Sequence, residues 1–152
     1  MSERNCALIL GVLFTALGIA GFFPALVSLP SPDVAGVAPL STNFGDAYVK
    51  GFGYLFGLFP TNLMHNLVHL TVGLLGMAAA SKTVSGARLY NRFFAISYLL
   101  IAVMGLLPLA NTTFGVMPIF GNNVWFNALT ALIAGYFAFV VPGKQNETSL
   151  SV

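Results

Sequence analysis

The chain has 152 residues, 57% of them hydrophobic and only 7% charged, with a mean hydropathy of +0.87. A soluble domain carries about a quarter of its residues charged, so this composition excludes an ordinary soluble fold and describes an integral membrane protein. The formal net charge of +2 gives no reason to expect a nucleic-acid partner, and the single cysteine, Cys6, excludes an internal disulfide.

No charged residue occurs from Asn5 to Pro32, from Gly51 to Ser81 or from Phe93 to Gly143. A helix needs roughly 20 predominantly apolar residues to span a bilayer. The three windows therefore hold four spans, expected near residues 7–27, 62–80, 91–109 and 123–141, in one membrane domain covering residues 1–152. The apolar region of the first span is longer than the 7 to 15 or so residues of a signal peptide, and it is taken as a helix. Cys6, just before it, reads as a bystander near the membrane surface.

Residues 28–61 form an outer loop opened by Leu29-Pro30-Ser31-Pro32, whose two prolines cannot continue a helix. Its Gly51-Phe52-Gly53-Tyr54-Leu55-Phe56-Gly57 stretch contains a GxG. With no parallel sheet to receive a dinucleotide, the expectation is a short interfacial helix with Phe and Tyr in the headgroup layer.

The second span holds both histidines of the chain in an otherwise uncharged apolar run. Asn62, His65, His69, Gly73 and Gly76 follow steps of three or four and share one helix face, with Asn66 beside them. The leucines flank that face, and the glycines allow another helix to approach closely, so the stripe is expected to point into protein. Ser81 to Arg92 is the next turn, whose three basic residues read as anchors for lipid phosphates. The third span is a plain packing element, and the fourth carries a second small and polar stripe that includes Asn123 and Asn127. Residues 142–152 form a polar tail.

Arg4, Lys82, Arg88, Arg92 and Lys144 fall on one side of a four-span arrangement, and only Lys50 on the other. The positive-inside rule then places both termini in the cytoplasm, of a bacterial inner membrane or of an internal photosynthetic membrane. Asp33 and Asp46 lie on the opposite side.

The two halves repeat. Gly21-Phe22-Phe23-Pro24 closes the first span and Gly105-Leu106-Leu107-Pro108 the third, while Phe56-Gly57-Leu58-Phe59-Pro60 precedes the second span and Phe114-Gly115-Val116-Met117-Pro118 the fourth. The fold class expected is thus an all-α integral membrane four-helix bundle made of two parallel-repeat helical hairpins. The second and fourth helices are expected to face each other through their polar stripes.

The string GLFPTNLMHNLVHLTVGLLGMAAA, followed by ARLYNR and FGVMPIFGNNVWFNALTALIAG, resembles the bacterial four-helix membrane family catalogued as domain of unknown function 4383. The family pattern G-L-F-x-x-N-x-x-H-N-x-V-H-L-x-x-G is matched by Gly57, Leu58, Phe59, Asn62, His65, Asn66, Val68, His69, Leu70 and Gly73. The resemblance covers most of the chain and departs at the start of the fourth helix, where family members often carry a histidine and this chain has Val124-Trp125-Phe126-Asn127. It implies a fold and a membrane location, and no activity.

His65 and His69, one helical turn apart, are the candidate site. One reading makes them neutral buried groups paired with Asn62, Asn66, Asn123, Asn127 or Thr71, because an unpaired polar group in lipid costs several kcal/mol. Another makes them a cofactor site. A bis-histidine haem needs a histidine on a second helix, and tetrahedral zinc needs about four ligands, for which only Asp33 or Asp46 offers a carboxylate. A chlorophyll or a singly ligated haem needs one axial imidazole and a flat apolar wall.

An enzyme is not expected, since no Asp, Glu, Lys or Arg lies within the spans to act as acid, base or charge clamp. The leading expectation is an accessory or scaffold subunit that sits in the bilayer against other integral membrane proteins or further copies of itself. A haem- or chlorophyll-binding protein and a small transporter or channel are the alternatives.

Overall fold

The computed structural model describes residues 2–30 and 51–141. The readings placed on Asp33, Asp46, Lys50, Lys144 and the tail fall outside those residues. Helix α1 spans Glu3–Ala20, α2 Leu63–Lys82, α3 Val84–Gly105 and α4 Asn122–Gly135, and a five-residue π-helical segment, Tyr136–Val140, extends α4. All four, α4 counted through Val140, are long and apolar enough to cross a membrane.

Helix limits follow from caps. Ser2 caps α1 by accepting from the Asn5 amide, so this helix begins four residues earlier than expected and ends at Ala20 rather than near residue 27. Asn62 caps α2 through the His65 amide, and Thr83, the single residue between α2 and α3, caps α3 through the Gly86 amide. The basic turn expected from Ser81 to Arg92 is therefore mostly helix, and α3 starts seven residues before the predicted limit at residue 91.

The expected interfacial helix is a small sheet. Strands β1 (Val27–Ser28), β2 (Gly53–Leu55) and β3 (Phe59–Thr61) pair antiparallel in the order β1-β2-β3, with Val27 opposite Leu55 and Tyr54 opposite Pro60. The β2–β3 loop turns on Phe56 and Gly57, both at positive φ (54° and 71°), a left-handed pair that reverses the chain too tightly for a helix to form.

The chain's ends of the helices meet on one face of the bundle. There the Arg4 Nε–H donates to Ala80 O at 2.7 Å, the Arg88 guanidinium pairs with the Glu3 carboxylate and donates to Val141 O, and the Asn91 Nδ2–H donates to Glu3 O at 3.0 Å. These contacts unite the start of α1, the end of α2, the start of α3 and the end of the fourth span. Of the three basic residues expected as lipid anchors, Arg88 is thus tied within the chain.

The bundle is two antiparallel hairpins, with α1 packed most extensively on α2 and α3 on α4. Contrary to expectation α2 and α4 barely touch. The glycine stripe of α2 faces α1 instead: a Cβ on Gly73 would meet the Gly11 carbonyl at 2.7 Å, and one on Gly11 would meet the Met77 amide nitrogen at 2.6 Å. Backbones this close leave room for no side chain at either position. Gly76 is filled from both sides, by Ala7 O and the Tyr90 ring.

Phe14, fully buried, joins the layers. Its ring meets His69 of α2 at 4.9 Å, Phe94 and Tyr98 of α3 at 5.1 and 5.0 Å, and Phe126 of α4 at 5.6 Å. Cys6 is buried in the same cluster and is a core residue, not a surface bystander.

Candidate functional site

On the bundle face opposite the termini, each half of the chain holds the other by matching hydrogen bonds. The Asn62 Nδ2–H donates to Val116 O at 2.9 Å, and the Asn122 Nδ2–H donates to Leu58 O at 3.1 Å. Leu58 and Val116 are the third residues of the two FGxxP motifs. At the fifth residues the exchange recurs: the His65 Nδ1–H donates to Pro118 O at 2.8 Å, and the Asn123 Nδ2–H to Pro60 O at 2.7 Å and to Pro118 O at 3.2 Å.

Local sequence explains why these carbonyls are available. In both motifs the Phe-Gly pair takes positive φ, Phe114 at 56° and Gly115 at 89° repeating Phe56 and Gly57. The Gly57 and Leu58 amides bond back to Tyr54 and Leu55, as the Gly115 and Val116 amides do to Thr112 and Thr113. The turn consumes its own donors and sends the carbonyls that follow toward the other half. The second motif builds a similar turn without strands, in which Thr113 too takes positive φ (50°).

The histidine pair extends from this network. A carbonyl has no proton to give, so His65 carries its proton on Nδ1 and its Nε2 is an acceptor. His69 then supplies the proton of the 3.0 Å Nε2–Nε2 bond, the two rings standing nearly perpendicular at 89° with centroids 4.3 Å apart. Both side chains are buried. Among the described residues His65 has both nitrogens bonded, while His69 makes its one hydrogen bond through Nε2.

Of the remaining predicted residues, Asn66 is fully buried, accepts the Thr61 hydroxyl at 2.6 Å and packs onto Gly21, where any Cβ would collide with its amide. Gly105 does the equivalent in the second half, against Ile119 O and Val124. Asn127 is buried farther along α4 and among the described residues does not join the network, and the Thr71 hydroxyl bonds Leu67 O on its own helix. Sequence reasoning missed Asn122 and the carbonyls of Leu58, Pro60, Val116 and Pro118. The paired FGxxP motifs were the available signal, but a residue pattern does not say where a carbonyl points.

A cavity of about 70 Å³ lies beside the pair, lined by Leu13, Phe59, Thr61, His65, His69 and Asn123 among others. It is water-sized, well below the roughly 300–1,000 Å³ of organic ligand pockets. No cluster of three or more His, Cys, Asp or Glu side chains occurs among the described residues, so no protein group there completes a metal site around the pair.

These features define a polytopic membrane bundle of two helical hairpins, clasped by charge on one face and by side-chain amides on the other. The chain belongs to the family described as Domain of unknown function (DUF4383), whose model matches residues 4–140. No curated protein and no solved structure matches it.

Proposed function

We propose that this protein is a non-enzymatic accessory or scaffold subunit of a larger membrane assembly, with both termini in the cytoplasm. The observation that carries the reading is the destination of the polar side chains: Asn62, His65, Asn122 and Asn123 all end on carbonyls of the opposite half. Groups used in this way brace a shape and do not address a substrate. Rigidity is what a scaffold contributes, and partner helices need an apolar seam. Leu89, Phe93, Leu100 and Val103 supply one on α3, at heptad-like spacing and each at least half exposed. The glycines serve contacts inside the chain, so lateral association would rest on these large side chains. Orientation rests on Arg4, Lys82, Arg88 and Arg92, which all belong to the terminal end of the bundle.

A single-ligand haem or chlorophyll on His69 is the second reading, favoured by the one ring nitrogen of the pair, His69 Nδ1, that has no partner among the described residues. Both readings meet one experiment: purification from the native membrane in mild detergent, with an absorption spectrum and mass-spectrometric identification of co-purifying chains. The scaffold reading expects defined membrane partners without added absorbance, lost when Phe93 and Leu100 are both changed to Ala. A free monomer would sink it. A Soret or chlorophyll band travelling with the chain and lost in His69→Ala would put the second reading in its place.

A further inference from the structure

The outer face between α3 and α4 carries a groove of about 430 Å³, lined by Ala95, Ile96, Leu99, Leu132, Gly135, Tyr136 and Phe139 among others. Its floor is formed where Ala95, Ala131 and Gly135 meet, whose small size leaves the space open, and its walls are long apolar side chains. Arg92 precedes Ile96 by four residues and so stands on the same face of α3, one turn nearer the end of the bundle that carries the termini. Its guanidinium lies 5.7 Å over the Phe139 ring, at the groove's mouth. Arg88 is held by Glu3 and Val141 O, but exposed Arg92 has no ion-pair partner among the described residues.

We propose that this groove is a binding site for an anionic phospholipid, one acyl chain lying along α3 and α4 and the headgroup phosphate on Arg92. Charge complementarity selects this occupant. A transmembrane helix of a partner would cover the apolar walls but leave the cation at the mouth unanswered, whereas a phospholipid presents an apolar chain and a phosphate on one molecule. Arg also suits phosphate by its planar array of donors. The half-exposed Tyr136 ring lies on the opposite wall, near the same membrane boundary, where tyrosines favour the headgroup layer.

The test is native mass spectrometry of the full chain, delipidated in mild detergent and equilibrated with an equimolar mixture of phosphatidylglycerol and phosphatidylcholine. One retained lipid, enriched in phosphatidylglycerol, is expected. Arg92→Gln should lower the ratio of anionic to zwitterionic lipid by about fivefold, the worth of one cation near a membrane surface. Ile96→Trp, at a position 62% exposed and so harmless to the core, should fill the groove and reduce retention of both lipids. An unchanged lipid ratio in Arg92→Gln would overturn the proposal, as would undiminished retention in Ile96→Trp or a dimer found in place of the lipid. Equal thermal melting of the variants and the parent confirms that the loss comes from the groove and not from unfolding.

Discussion

Asn62 and Asn122 each donate a side-chain amide hydrogen to the third residue of the other's FGxxP motif, at 2.9 Å to Val116 O and 3.1 Å to Leu58 O. Two short motifs 58 positions apart thus act as one joint, in which each half supplies the donor that the other half's turn lacks. The joint closes the bundle at the face opposite the termini, where α2 and α4 begin but hardly touch. Without it, the two hairpins would meet there through apolar contacts alone, which do not fix a register.

Within this joint, burial ranks the asparagines. Asn123 is 3% exposed and serves Pro60 O and Pro118 O, whereas Asn122 lies at the exposed rim. Asn123→Ala leaves Pro60 O without its donor and is expected to cost about 1–2 kcal/mol, the upper part of the range for side-chain hydrogen bonds in membranes. Asn122→Ala should cost under ~0.5 kcal/mol, because water replaces its bond. Unfolding in mixed SDS micelles measures both, and equal costs would contradict the ranking.

The histidine geometry predicts a pair of opposite tautomers. Pro118 O obliges His65 to hold its proton on Nδ1, and the 3.0 Å contact then requires His69 to hold its proton on Nε2. Nitrogen-15 NMR of the labelled protein in micelles should show one Nδ1–H and one Nε2–H imidazole at neutral pH. In Asn123→Ala the His65 tautomer should persist, since Pro118 O remains its acceptor. In His69→Phe, His65 should keep Nδ1–H but lose the coupling at Nε2. Two Nε2–H rings in the parent protein would mean that the link to Pro118 does not form.

Much of this arrangement can be read from residues alone. Three charge-free windows define the spans because lipid admits no unpaired charge, and Asn62 marks the start of α2 because a side-chain oxygen is needed by the free amides there. The repeat is visible because a left-handed Phe-Gly turn followed by proline is a demanding backbone. What escaped depends on partners distant in sequence. Arg88 and Asn91 look like turn residues until Glu3, 85 and 88 positions away, is brought against them, and so α3 was expected to start too late. The glycine stripe announces a close neighbour but cannot name it, and α1 rather than α4 takes that place. The aromatic Gly51 to Gly57 stretch suits an interface in either conformation, and pairing with Val27 and Ser28 decides for strand.

Glycine substitutions separate close approach from mere smallness. A methyl at Gly73 would collide with the backbone and hydroxyl of Thr15 and lie 2.7 Å from Gly11 O, atoms that cannot move without displacing α1. Gly73→Ala is therefore expected to destabilise by about 1–3 kcal/mol through overpacking. At Gly135 the nearest atom to a new Cβ is that of Ala95 at 3.6 Å, an ordinary contact. Gly135→Ala should be neutral or stabilising by up to ~1 kcal/mol through helix propensity. The same micelle titration reads both, and a cost at Gly135 equal to that at Gly73 would show that the α1–α2 contact is not the tight one.

The clasp between Glu3 and Arg88 is best tested by a double-mutant cycle. The Glu3 side chain is 7% exposed and that of Arg88 24%, so the pair lies between a surface ion pair, worth at most about 1 kcal/mol, and a buried one, whose breakage costs roughly 3–5 kcal/mol. A coupling of about 1–2 kcal/mol is expected for Glu3→Gln with Arg88→Gln. Arg88→Gln should be the more damaging single change, because it also removes the donor to Val141 O and so loosens the end of the fourth span. Glu3→Gln leaves Arg88 that carbonyl and keeps the Glu3 main-chain acceptor for Asn91. Raising the salt concentration should weaken the coupling only slightly at this depth of burial. Additive single effects, or a coupling that vanishes in moderate salt, would place the pair in water rather than in the closed end of the bundle.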